Sequence, residues 1–184
     1  MRKFIVLTAI CLAVFTTQAQ DREFKTFKFD IALGLAMPTN GTGTKAGALF
    51  TIQPHYRVSD NFALGLRLEG AGIGYVYNDI NGGQNVDVSV IGSGCVSGEI
   101  YLSRKKFRPF IGGGIGVFNS QAATTINGNG DVVLGPKATS FGGYPEIGFE
   151  AGHFRLCADY NITGHDLSYF SLKIGAFFGG GRFK

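Results

Sequence analysis

The sequence predicts an all-β protein, eight antiparallel strands closing an up-and-down barrel that crosses a membrane. Three observations carry this prediction. Past residue 19, apolar side chains recur at every second position in one segment after another, with neither a useful helix-period stretch nor an apolar run of membrane-helix length. Short turns alternate with longer polar loops. The polar positions are diluted with Gly, Ala, Ser and Cys rather than crowded with Lys, Glu, Asp and Arg, which suits a cramped interior better than a solvated exterior. Alternation alone would also fit a soluble lipocalin-type barrel closed around an apolar ligand. Composition decides for lipid outside.

Residues 1–19 precede the fold. Met1-Arg2-Lys3 is basic, the run to Phe15 is apolar, and Thr17 and Ala19 are small residues at cleavage-site positions, the pattern of a secretory signal peptide. Cys11 follows Ile10 rather than a small residue, so it reads as one more apolar position and not a lipidation site. The barrel domain is then 20–184, and losing Arg2 and Lys3 lowers the net charge from +4 to +2. Neither that balance nor the short run Arg104-Lys105-Lys106 suggests nucleic acid. Cys95 and Cys157 lie far apart and are no disulfide framework; they read as small inward side chains.

The strands follow in order. Strand one, 27–37, sets Phe27, Phe29, Ile31, Leu33, Leu35 and Met37 against Lys28, Asp30 and small residues. A Gly/Thr/Asn turn leads to strand two, 46–58, with Phe50, Ile52, Pro54 and Tyr56 against Thr51, Gln53, His55 and Arg57. Ser59-Asp60-Asn61 turns the chain. Strand three starts at Phe62, sets Leu64, Leu66 and Leu68 against Arg67 and Glu69, and grows glycine-rich toward Tyr77. A polar loop, 78–85, precedes strand four, 86–102, in which Val86 to Leu102 alternate with Asp87, Ser93, Cys95, Glu99 and Tyr101. Strand five, 107–118, is blurred by Gly112-Gly113-Gly114; its outward residues are expected to be Ile111, Ile115 and Val117. The segment 119–140 is the longest polar loop, tipped by Asn127 to Asp131.

The best-defined unit is the hairpin that follows. Phe141 to Ala151 and Phe154 to Ile162 alternate in opposite parity about Gly152-His153, so a two-residue turn pairs Ile147 with Ala158 and Phe149 with Leu156 on one apolar face. Glu150 then opposes Arg155, and Glu146 opposes Asp159 with Lys173 of the last strand as neutraliser. A loop, 163–168, leads to strand eight, with Phe170, Leu172, Ile174, Ala176 and Phe178 on one face. Tyr56, Phe62, Phe154 and Phe178 fall at one rim, and Phe141, Tyr160 and Phe170 at the other, like interfacial girdles.

On the signal, the Arg108 to Gly114 strand start, the Gly148-Phe149-Glu150 to Asp159-Tyr160-Asn161 hairpin and the amphipathic last strand, the chain resembles the small outer-membrane β-barrel family of Gram-negative bacteria, with the OmpA and OmpX architecture. The resemblance covers residues 27–184. It implies an outer-membrane location, lipid as surroundings, assembly by the insertion machinery and a monomer. Such barrels often finish on an aromatic residue, whereas here Phe183 is followed by Lys184.

The residues with most chemistry are the inward charges: Lys28, Asp30, Arg57, Arg67, Glu69, Asp87, Glu99, Glu146, Glu150, Arg155, Asp159 and Lys173. An eight-stranded lumen holds little beyond its own side chains, so these are expected to form a structural ion-pair network and not a pore. A lipid-modifying hydrolase or acyltransferase is the enzymatic alternative, with His165, Asp166 and Ser168 as the residue types it needs. They share one short turn, His55 and His153 fall elsewhere, and no triad can be assembled, so the chain reads as a non-enzyme. The histidines and cysteines show no metal-ligand spacing, the glycine runs match no phosphate loop, and no cofactor is expected. The expected role is structural or envelope-stabilising. The loop 119–140 is left available for an extracellular ligand or adhesion.

Overall fold

The computed structural model describes residues 22–39, 44–78, 84–126, 131–164 and 168–183; the proposed signal peptide lies outside them. Eight strands, β1 (Phe27–Pro38), β2 (Thr44–Ser59), β3 (Phe62–Asn78), β4 (Gln84–Tyr101), β5 (Phe107–Ile126), β6 (Asp131–Ala151), β7 (Phe154–Asn161) and β8 (Tyr169–Gly179), form one closed antiparallel barrel in sequence order. β8 returns to β1 from Lys28↔Gly179 to Pro38↔Tyr169. One end of the barrel carries residues 22–26 and 180–183 with the β2–β3, β4–β5 and β6–β7 turns; the other carries the β1–β2, β3–β4, β5–β6 and β7–β8 connections.

Alternation sorts the side chains as the pleat requires. Leu33, Leu66, Val96, Ile147 (63 % exposed), Ile174 and Phe178 point out of the barrel, while Asp30, Arg67, Cys95, Glu146 and Lys173 are buried within it. The blurred strand resolves in the expected sense, with Ile111, Ile115 and Val117 outward. Gly114 faces in because its neighbour needs the space. A Cβ there would stand 2.7 Å from the Tyr144 ring. Gly152, at φ +65°, makes the turn that brings Ala151 opposite Phe154.

One expectation fails. The segment 119–140 is not a polar loop: β5 runs on to Ile126 and β6 begins at Asp131, paired through Thr124↔Val133 and Thr125↔Val132 after a shift in register between Gln121 and Ala123. Polar composition concealed a run of β-branched residues, Thr124-Thr125-Ile126 against Val132-Val133, whose propensity is for strand. The walls are therefore unequal. β5 and β6 have 20 and 21 residues, whereas β7, β8 and β1 have 8, 11 and 12.

The lumen is layered. Phe24, Tyr101, Phe110 and Phe177 are buried toward the turn end. Charged side chains fill the middle. Toward the loop end Ala36, Leu49, Ala71, Ile73, Ile91 and Phe118 pack into an apolar cluster with Cys95, Tyr144 and Tyr169.

Candidate functional site: the charged lumen

Strand pairing brings the charges together in rows. Arg108, Glu150 and Arg155 lie side by side on β5, β6 and β7, because Glu150 is in register with both arginines. Arg155 is the hub. Its Nη2 donates to Glu99 and Glu146, each at 2.5 Å, and its Nη1 lies 3.1 Å from Glu150 and 3.4 Å from Asp30. Its guanidinium also stacks 4.1 Å from the Phe110 ring centroid. Lys28 donates to Glu150 (2.5 Å) and the Tyr101 hydroxyl (2.7 Å), and approaches Asp30 (2.9 Å) and Glu99 (3.3 Å).

A second cluster sits nearer the loop end. Lys173 pairs with Glu146 (3.3 Å), Glu69 (3.4 Å) and Asp159, which is the neutralising position expected from the sequence. Arg67 pairs with Asp159 at 3.4 Å, donates to Asn161 at 2.5 Å and lies over the Tyr144 ring, 3.3 Å from its centroid. Glu69 accepts from Tyr169 (2.7 Å) and Thr51 (2.9 Å). Glu146 joins the clusters, since its two oxygens serve Arg155 and Lys173.

Among the described residues the buried charges balance: Lys28, Arg57, Arg67, Arg108, Arg155 and Lys173 against Asp30, Glu69, Glu99, Glu146, Glu150 and Asp159. Of the expected residues only Asp87 stands apart. Its backbone pairs with Tyr75 and Thr124, and its side chain lies outside the described set.

Arg108 was missed by the sequence reading, although Phe107, Pro109 and Ile111 outward already require it inward. A second finding could not come from spacing. His55 Nε2 lies 3.2 Å from Asp30 and 3.5 Å from Glu99, a trio of metal-ligand types drawn from three strands. The same two carboxylates already bind Lys28 and Arg155. A divalent ion would add charge to a balanced interior, so the trio fits the ion-pair network better than a metal centre.

Of the enzymatic candidates, the described residues include Ser168 alone. His165 and Asp166 lie outside the described residues. Ser168 is buried, its Oγ accepting from the Thr163 amide. His55 and His153 belong to the turn end, His153 with Nδ1 2.9 Å from the Phe177 carbonyl. Cys95 and Cys157 are free and buried.

The family model for the outer membrane protein β-barrel domain matches residues 7–176. Among solved structures, Ail of Yersinia pestis, in complex with the heparin analogue sucrose octasulfate, is similar over 86 % of this chain and 100 % of its own, at 12 % identity and TM-score 0.55. Neisserial surface protein A is similar over 83 % and 96 %, at 14 % identity and TM-score 0.56. OprG of Pseudomonas aeruginosa is similar over 88 % and 99 %, at 12 % identity and TM-score 0.52. These likenesses show the shared fold. No curated protein sequence matches the chain.

Proposed function

The chain belongs to the outer membrane protein β-barrel domain family, and from that premise we propose a monomeric, pore-less barrel that stabilises the outer membrane and offers its loop end to the outside. The observation that carries this reading is the lumen: balanced ion pairs between an aromatic layer and an apolar layer. A conducting path needs hydrated, unpaired charge along its length, whereas here the charges answer one another. Purified barrel in planar bilayers is expected to give no steady, unitary conductance. Regular open steps from a monomer would overturn the proposal.

In this reading residues 1–19 are a cleaved signal peptide and outer-membrane insertion machinery assembles the barrel. The tight turns and termini face the periplasm, as short turns do in this architecture. Protease added to intact cells should cut within 127–130 and spare Ser59 to Asn61; cleavage at Ser59 to Asn61 alone would reverse the orientation. The β5–β6 hairpin, the tallest part of the barrel, is the surface offered to an extracellular ligand or to adhesion. That the similar Ail structure is a complex with a heparin analogue supports testing sulfated polysaccharide as a first ligand. The reading is non-enzymatic.

A further inference from the structure

Balanced overall, the buried charge is not evenly placed. At the turn end Arg57 (1 % exposed) and Arg108 (3 % exposed) share the single carboxylate of Glu150, at 3.8 and 2.8 Å, and Glu150 also serves Lys28 and Arg155. All three Arg57 side-chain nitrogens and the Arg108 Nη1 are buried without a hydrogen-bond acceptor. Buried donors left unmet are rare and costly, and guanidinium donors most of all. Arg57, Arg108 and Arg182 surround one ring, their guanidinium carbons 5.0, 4.5 and 5.5 Å from the Phe24 centroid. Of the carboxylates beside these three cations, Glu23 pairs with exposed Arg182 and Glu150 is divided among four cations, which leaves the cluster with an excess of positive charge.

Beside them is a cup of about 220 Å³, lined by Phe24, Lys105, Lys106, Arg108 and Arg182 and floored by glycines 152 and 181, where nothing stands within 4 Å of a Cβ. The surrounding surface is cationic. Arg22, Lys25, Arg104, Lys105, Lys106 and Arg182 face only Glu23 and Asp60 among the described residues. Both acids are engaged, Glu23 with Arg182 and Asp60 with the Glu23 and Phe24 amides.

The other side of the same β4–β5 turn opens on an apolar groove of about 310 Å³ in the outer wall. Leu102 and Phe107 line it at the rim, and Ile111, Ile147, Ala158 and Leu172 deeper in the membrane. Those last four form one cross-strand row in which Ala158 is the shortest side chain, so the wall dips there. From Phe107 to Ile111 is four residues, about 13 Å along the strand. Residues 105, 106 and 108 thus serve the cationic cup, and 102, 107 and 111 the groove.

The geometry points to a binding site for an anionic phospholipid of the inner leaflet. Its phosphate is taken by the cup, where Arg108 supplies an unmet donor and Lys105, Lys106 and Arg182 the charge, with Arg57 adding positive field from behind, and one acyl chain lies in the groove. Guanidinium forks match a phosphate's paired oxygens, which a zwitterionic lipid offers only together with its own ammonium. The inner-leaflet assignment rests on the membrane orientation proposed above.

The test compares phosphatidylglycerol, phosphatidylcholine with the same chains, and glycerol 3-phosphate as binders of the detergent-purified folded barrel, read by native mass spectrometry. Phosphatidylglycerol should bind at least about fivefold more than phosphatidylcholine, and glycerol 3-phosphate at equal concentration should not displace it. Lys105→Glu with Lys106→Glu, both exposed, should bring that preference below about twofold without touching the buried network. Ala158→Phe, which fills the groove from the lipid-facing side, should weaken binding of both lipids several-fold. Equal binding of the two lipids would overturn the proposal. So would displacement by glycerol 3-phosphate together with indifference to Ala158→Phe, since the cup would then serve a soluble anion. A chain that failed to insert into phosphatidylcholine vesicles would instead overturn the membrane reading, before any lipid preference was measured.

Discussion

The two halves of the lumen solve one packing problem in different chemistry. Toward the turn end, interior positions hold Arg155, Lys28, Glu99, Glu150 and Asp30 in a web of short contacts. Toward the loop end Leu49, Ile73, Ile91 and Phe118 fill equivalent positions by contact alone. The difference teaches what each half can tolerate. Removing one member of an ion-pair web strands its partners in a medium that cannot hydrate them. Removing a methyl group leaves a void whose cost scales with its volume.

The largest expected effect breaks the charged half. Arg155→Ala leaves Asp30, Glu99, Glu146 and Glu150 short of their shared cation, and should cost about 3–5 kcal/mol in urea unfolding from lipid vesicles. Adding Glu150→Gln should recover only a small part, because three of the four stranded carboxylates remain. A loss below about 1 kcal/mol would mean that these groups face water. In the apolar half, Leu49→Ala should cost about 2–5 kcal/mol by the same measurement, toward the lower end if Ile73 and Ile91 relax into the space. A loss above that of Arg155→Ala would reverse the ranking of the halves. The smallest effect lies outside both. Arg182 pairs with Glu23 in the open, 57 % exposed, and Arg182→Ala should change stability by about 0–1 kcal/mol.

Much of this was legible because alternation is a property of each strand alone. The outward set was readable wherever side chains carried the pattern, as at Leu64, Leu66 and Leu68, and so was the Glu150–Arg155 pair, which a two-residue turn dictates. What escaped depends on relations the order of residues does not express. Lys28 and Glu150 stand 122 positions apart and meet only because the barrel closes, and the His55–Asp30–Glu99 trio comes from three different strands. Arg108 was obscured by the glycines after it, which hid the parity of its strand. The continuation of β5 and β6 was lost to polar composition, though threonine and valine favour extended backbone wherever they find a partner.

Pro145 gives the barrel a mechanical weak line. The β6–β7 ladder holds six consecutive pairs, from Glu146↔Asp159 to Ala151↔Phe154, against eleven between β1 and β8. Beyond proline, which has no amide hydrogen to give, the two strands meet again only at the isolated bridge Gly143↔Ile162. A cylinder under load opens along the seam with fewest rungs. Here that seam runs beside β7, so amide protons of Tyr160 and Ile162 should exchange with solvent deuterium before those that bridge β1 and β8, and a barrel pulled apart should part between its sixth and seventh strands.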